Sequence, residues 1–167
     1  LARTTLGSAG DAIDVSTLAD KRYYMVLSNQ LGGDGNIGDL YRLNADSGTN
    51  YAWRYSENGG TDGIGGSENT GFIGSGTDTL SRFGVGYLAN LSTKEKLYQG
   101  WHVRTGSTGA GTAPTRRETV GKHAQTTNPI TSVNCHNNQT GNFNTGSEVV
   151  VLGWDPTDTH TTNFWEE

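Results

Sequence analysis

Apolar residues along this 167-residue chain recur at every second position in short runs, separated by stretches rich in Gly, Asn, Asp and Ser. That alternation marks strands with one buried face. Ile13 and Val15, with Thr17, alternate with Asp14 and Ser16 and predict a first strand over 12–18. Arg22 to Leu27 is an unbroken apolar run, read as a central strand buried on both faces or nearly so. Strands follow at 40–43 and 51–55, the latter with Tyr51, Trp53 and Tyr55 on one face and Asn58-Gly59-Gly60 ending it. Residues 57–78 read as a long polar loop holding one short strand, with Phe72 and Ile73 as its apolar anchor. Over 80–91, Phe83, Val85, Tyr87 and Ala89 alternate with Gly84 and Gly86, which suggests a bulge or close backbone approach on the glycine face. Residues 97–103 alternate again, 116–124 read as a polar edge strand, 130–135 as a further strand, and 148–154 as the strongest central strand. Polar loops at 106–114 and 137–146 complete a set of three Gly-rich loops, expected to gather at one end.

The chain thus predicts an all-β fold, an antiparallel β-sandwich of about 8–10 strands with long Gly/Thr/Ser/Asn loops and a jelly-roll-like topology in the lead. Tyr23–Leu27 and Val149–Trp154 are its expected spine. Residues 1–156 form the sandwich; residues 157–167 are an aromatic-acidic tail, or a linker to a following module. Phe164 and Trp165 in that tail either fold back onto the sandwich or serve as assembly contacts on a neighbour. Leu1 in place of Met points to processing or a preceding segment, and a longer natural chain beyond Glu167 is equally in keeping with the tail.

Composition sharpens this picture. Hydrophobic residues make up 32% and charged residues 17%; Gly (25), Thr (23), Asn (14) and Ser (12) fill the difference, the residues of turns and water-facing strands. Net charge is -5 and the one basic pair, Arg116-Arg117, is followed at once by Glu118, so no nucleic-acid partner is expected. No apolar run approaches the ~20 residues of a membrane helix, and no membrane partner is expected. Cys135 is the only cysteine, which leaves no intrachain disulfide.

The candidate chemistry is thin. Asp34, Asn36 and Asp39 offer three oxygens, too few for calcium and off the EF-hand spacing, and read better as a turn cluster. Cys135 and His136 are adjacent on a strand and face opposite ways, so with His102 and His123 they make a poor zinc set. No nucleophile elbow or phosphate loop is present, and Cys135 reads as a small core residue. Glu57, Glu68, Glu118 and Glu148 could supply a glycosidase pair, though spacing singles none out. Trp53 and Trp101, with Tyr51, Tyr55 and Tyr98, could face a glycan; the preferred alternative is that these rings fill a core short of Leu and Ile. Asn90 and Asn138 head glycosylation sequons that matter only in a eukaryotic secretory route.

Several segments carry a resemblance: Thr5-Leu-Gly-Ser-Ala-Gly-Asp-Ala-Ile-Asp14, Lys21 to Met25, Gly48 to Gly60, Leu91-Ser-Thr-Lys-Glu-Lys-Leu97 and Gly146-Ser-Glu-Val-Val-Val-Leu-Gly-Trp-Asp155. They resemble β-sandwich structural modules of marine tailed viruses and environmental viral sequences, over most of the chain. The resemblance implies a non-enzymatic virion protein, in capsid decoration, fibre or another surface part. It implies homo-oligomeric assembly, possibly as a trimer, contacts with other virion proteins, and no cofactor or catalytic residue. Alternatives are a carbohydrate- or receptor-binding module, a glycan hydrolase, and a cell-surface or extracellular filament protein.

Overall fold

The computed structural model describes residues 1–33, 35–71, 78–106 and 109–156. Eleven strands are found there: β1 (Ala2–Thr5), β2 (Ala12–Val15), β3 (Tyr23–Gln30), β4 (Leu40–Leu43), β5 (Tyr51–Glu57), β6 (Gly63–Glu68), β7 (Arg82–Ala89), β8 (Lys96–Arg104), β9 (Thr115–His123), β10 (Val133–His136) and β11 (Glu148–Trp154). Eight form one antiparallel sheet in the order β1-β11-β3-β7-β8-β9-β5-β6; the other three form a small sheet, β2-β10-β4. The fold is an antiparallel β-sandwich. The strand order does not by itself establish the jelly-roll connectivity that the spacing suggested.

The small sheet covers the inner face of the large one. Ile13, Val15, Tyr41, Leu43, Val133 and Cys135 from the small sheet meet Tyr24, Val26, Leu88, Tyr98, Val149 and Val151 from the large one, all below 6% exposure. Tyr24 spans the gap and donates its hydroxyl to the carbonyls of Ala19 (2.6 Å) and Ile130 (3.0 Å). Gln30 likewise donates to the Tyr41 hydroxyl at 2.8 Å and to Cys135 Sγ at 3.2 Å. Buried polar atoms in a mixed core need such partners.

This one-sided covering sets how each strand faces, and the pairing corrects one expectation, the edge position of β9. β3 is central: Tyr24, Val26, Ser28 and Gln30 point inward and are buried, while Tyr23, Met25 and Leu27 are half-buried on the outer face, close to the two-sided burial its apolar run suggested. On β7 the apolar set Phe83, Val85 and Tyr87 is the outer face; Arg82, Gly84, Gly86 and Leu88 are buried. The glycines are small because inner side chains crowd them: a Cβ on Gly84 would lie 2.8 Å from Ser28 Oγ and 3.0 Å from the His102 ring. β9 is not an edge strand, since it pairs with both β8 and β5. Its polar text reflects an inner face of Arg117, Thr119 and His123 that is buried among ion pairs and rings, so polarity is no sign of an edge there. The edges are β1, whose Ala-Arg-Thr-Thr text carries no apolar alternation, and β6.

Local signals account for the turns. Asn58 and Gly59 sit at φ 53° and 76°, and Gly60 N–H donates to the Glu57 carbonyl at 2.9 Å. That is the two-residue turn an Asn-Gly pair favours, and it joins β5 to β6. The expected gathering of polar loops is observed. β3 ends opposite the start of β7, β7 starts opposite the end of β8, and β11 starts beside the end of β3. The loops that follow β3 and β8 and precede β7 and β11 therefore share one end. They are stitched by Ile37 N–H to the Asp78 carbonyl (2.8 Å), Gly141 N–H to the Asn36 carbonyl (2.9 Å) and Asn144 Nδ2 to the Gly32 carbonyl (2.8 Å).

Candidate functional site

The outer face of the large sheet is the most unusual surface on the molecule. Reading across β11, β3, β7, β8 and β9, the strand register sets its side chains in four rows. The first row is Glu148, Asn29, Phe83, Val103, Arg116. The second is Val150, Leu27, Val85, Trp101, Glu118. The third is Leu152, Met25, Tyr87, Gln99, Val120. The fourth is Trp154, Tyr23, Ala89, Leu97, Lys122. Apolar side chains fill its middle, and Phe83 (46%), Leu97 (61%), Trp101 (47%) and Val120 (51%) stand well clear of the sheet. Single exposed apolar residues are ordinary, but a contiguous patch marks a contact surface.

The face carries two hollows. One, of about 270 Å³, lies between Tyr23, Tyr87, Leu97, Val120 and Trp154. The other, of about 190 Å³, lies against Phe83, Val103 and Pro114 near the loop end. Tyr87 meets Trp101 edge-on at 6.1 Å and Tyr23 packs on Trp154 at 5.7 Å, so the rings hold fixed orientations. Charged residues lie at its margins and are paired: Arg3 with Glu148 (3.4 Å), Arg116 with Glu118 (3.3 Å) and Lys122 with Glu95 (2.9 Å).

A second constellation lies inside, beneath the loop end. Arg82, fully buried, donates to Asp39 Oδ1 at 2.9 Å, to the Ile37 carbonyl at 2.7 Å and to Asp78 Oδ1 at 3.0 Å. His102 Nδ1 lies 2.6 Å from Asp39 Oδ2, at ion-pair distance but without the alignment of a straight hydrogen bond. Arg104 pairs with Asp78 and reaches Glu57 at 3.6 Å. Arg117 donates to Glu57 at 2.6 Å and lies 4.1 Å over the Tyr55 ring. Burial pushes the Asp39 carboxyl up, but the adjoining His102 and Arg82 charges outweigh it and hold the group below its ordinary value. Cations and carboxylates answer one another throughout, so the cluster ties the loops to the sheet.

The residues named from sequence are dispersed. Trp101 is on the outer face. Trp53 is on the inner face of β5, half-buried, lying across Gly65 and beside Tyr55. The two tryptophans are therefore on opposite faces and share no site. Trp101 is not a core ring, which corrects the preferred reading for that residue, whereas Tyr51 and Tyr98 are core. Cys135 and His136 do face opposite ways. Burial drives the Cys135 thiol up to about 12, which makes it an inert core group. Asp39 belongs to the buried ion cluster rather than to a turn, and Asp34 lies outside the described residues. Glu57 is on the inner face and Glu118 on the outer, and Glu148 is four strands from Glu118, roughly 19 Å at the usual strand spacing. None of these pairs has glycosidase geometry. Among the described residues no group of three or more His, Cys, Asp or Glu side chains could hold a metal ion. Asn90 is buried and bonded to Ile130 N–H and the Lys21 carbonyl, so it is closed to a glycan in the folded chain. Phe164 and Trp165 lie outside the described residues.

Comparison with protein-family models, curated proteins and solved structures finds no match. The geometry alone therefore ranks the surfaces. The ion cluster is closed and charge-balanced; the outer face, among the described residues, is open, apolar and built on the middle strands of the large sheet. Sequence reasoning missed this face because it preferred to read the rings, Trp101 among them, as core. On β8 the alternation of Leu97, Trp101 and Val103 against Lys96, His102 and Arg104 points the wrong way, since the apolar set is the exposed one.

Proposed function

We propose that the chain is a non-enzymatic structural module of a virion surface, as capsid decoration or part of a fibre, and that it works by oligomeric assembly. The observation that supports this most is the outer face of β11, β3, β7, β8 and β9, an apolar surface on the middle strands of the large sheet with charge at the margins of the patch. A surface of that kind gains free energy by covering itself, at about 25 cal/mol per Å² of apolar area. The likeness of the strand and turn segments to viral β-sandwich modules supplies the virion setting. Residue-resolved hydroxyl-radical footprinting across protein concentration tests the assembly: Phe83, Leu97 and Trp101 become protected as oligomers form. A monodisperse monomer at about millimolar concentration, with these residues still reactive, overturns it. Peptides of the chain at structural-protein abundance in gradient-purified particles support the virion setting, and their absence from particles removes it.

A second reading, a carbohydrate- or receptor-binding module, is favoured by one feature: Trp101 and the hollow beside Trp154 and Tyr87 offer ring faces and a sugar-sized space. A saccharide titration that protects Trp101 in the monomer supports that reading; no response across a glycan array counts against it.

A further inference from the structure

We infer that the outer face is covered by a second copy of this chain, stacked sheet on sheet about a two-fold axis that runs parallel to the strands over β7. The inference rests on the assembly reading above and adds to it the partner, the symmetry and the contacts.

Three observations lead there. The first is size. Five strands at about 4.8 Å and four rows at about 6.8 Å give a footprint on the order of 650 Å². Covered on both copies, it buries roughly 1,300 Å², the low end for a specific interface. A single stacked pair is therefore adequate and weak, a suitable unit for assembly with many contacts.

The second is shape. β7 is the middle strand of the five, and its outer residues Phe83, Val85 and Tyr87 are apolar. An axis over β7 places these against their own copies. It also places β3 over β8 and β11 over β9. Leu27 then meets Trp101, Tyr23 meets Leu97 and Leu152 meets Val120, apolar against apolar, while Met25 meets Gln99, Asn29 meets Val103 and Val150 meets Glu118.

The third is charge, and it selects the axis. With the axis along the strands, Glu148 of one copy lies over Arg116 of the other, Trp154 lies over Lys122, and Arg3 falls beside Glu118. Each is an attractive pairing, and each occurs twice by symmetry. With the axis across the strands, Arg116 falls over Lys122 and the contact repels. The usual angle of ~30° between aligned sheets tilts each copy by about half that from the axis, a displacement that long charged side chains span.

Charge reversal on the intact chain tests this by sedimentation equilibrium. Wild type dimerises as its concentration rises through the micromolar range. Arg116→Glu and Glu148→Arg each weaken dimerisation by roughly ten- to a hundredfold, since each disturbs two symmetric contacts. The double variant Arg116→Glu with Glu148→Arg restores it, while the like-charge contacts these changes create within one copy, beside Glu118 and Arg3, persist. All of these sites are on the surface, and unchanged thermal midpoints confirm folding. Failure of the double variant to restore dimers overturns the stacking. Trimers or other oligomers with a protected outer face overturn it too, yet leave the assembly reading standing. A monomer whose outer face is protected only by added saccharide overturns both.

Discussion

Asp39 carries the heaviest single duty among the described side chains. Its two oxygens face Arg82 and His102 in a region from which water is excluded, and Arg82 in turn holds Asp78 and the Ile37 carbonyl beneath the loops. Removing one partner of such a pair leaves an uncompensated buried charge. Asp39→Ala is therefore expected to cost about 3–5 kcal/mol, read from urea unfolding. The titration behaviour follows from the same groups. Asp39, Asp46 and Asp78 all titrate below their ordinary value in the folded state: burial opposes this in each, and it is outweighed by His102 and Arg82 at Asp39, by His123 and Gly48 N–H at Asp46, and by Leu80 N–H and Arg82 at Asp78. The folded chain then binds fewer protons than the unfolded chain, so their contribution is complete above the ordinary carboxylate value and is lost as pH falls below it. His136 acts earlier. Burial and the Arg42 charge bring it down to about 4 from 6.5, so between those values the unfolded chain protonates first and stability falls as pH falls. Thermal midpoints should decline from pH 6.5 to about 4 and then more steeply; His136→Gln should flatten the first part and leave the second.

Between strands, stability depends on rings lying over glycine. Gly121 on β9 pairs with Tyr98 on β8, and a Cβ there would fall 2.3 Å from the Tyr98 hydroxyl and 2.4 Å from its ring. Gly121→Ala is expected to cost about 1–3 kcal/mol through overpacking, because Tyr98 is buried and has little room to yield. Gly66→Ala on β6, where a Cβ meets nothing within 4 Å, should stay within about 0.5 kcal/mol. Paired urea titrations of the two variants check this. The elements are also where sequence reading succeeded and failed. β4 and β11 were legible to the residue, and β2, β3, β5 and β8 to within a few, because alternation and turn residues agree there. Facing was not legible for β7 and β8, nor was the interior position of β9. Alternation reports that two faces differ, not which one is covered, and the small three-stranded sheet decides that. The Asp39, Arg82 and His102 cluster was illegible for a related reason: its members come from three separate segments, and charge in sequence reads as solvent exposure until pairing is seen.

At the scale of the whole molecule, the sandwich has one covered face and one open face on the same large sheet. The covered face carries the core and the closed ion cluster. The open face carries Phe83, Leu97, Trp101 and Val120 on strands paired with a neighbour on both sides. A net charge of -5 keeps copies apart elsewhere, while the rim of the open face balances its own charges and does not. Self-association should therefore depend on this face and on little else. Sedimentation velocity of wild type and Trp101→Arg, across concentrations from about one micromolar to about one millimolar, tests that most directly. The wild-type sedimentation coefficient should rise with concentration, and Trp101→Arg should remain monomeric with an unchanged thermal midpoint. A wild-type chain that stays monomeric throughout, or a Trp101→Arg chain that assembles equally well, would contradict the account.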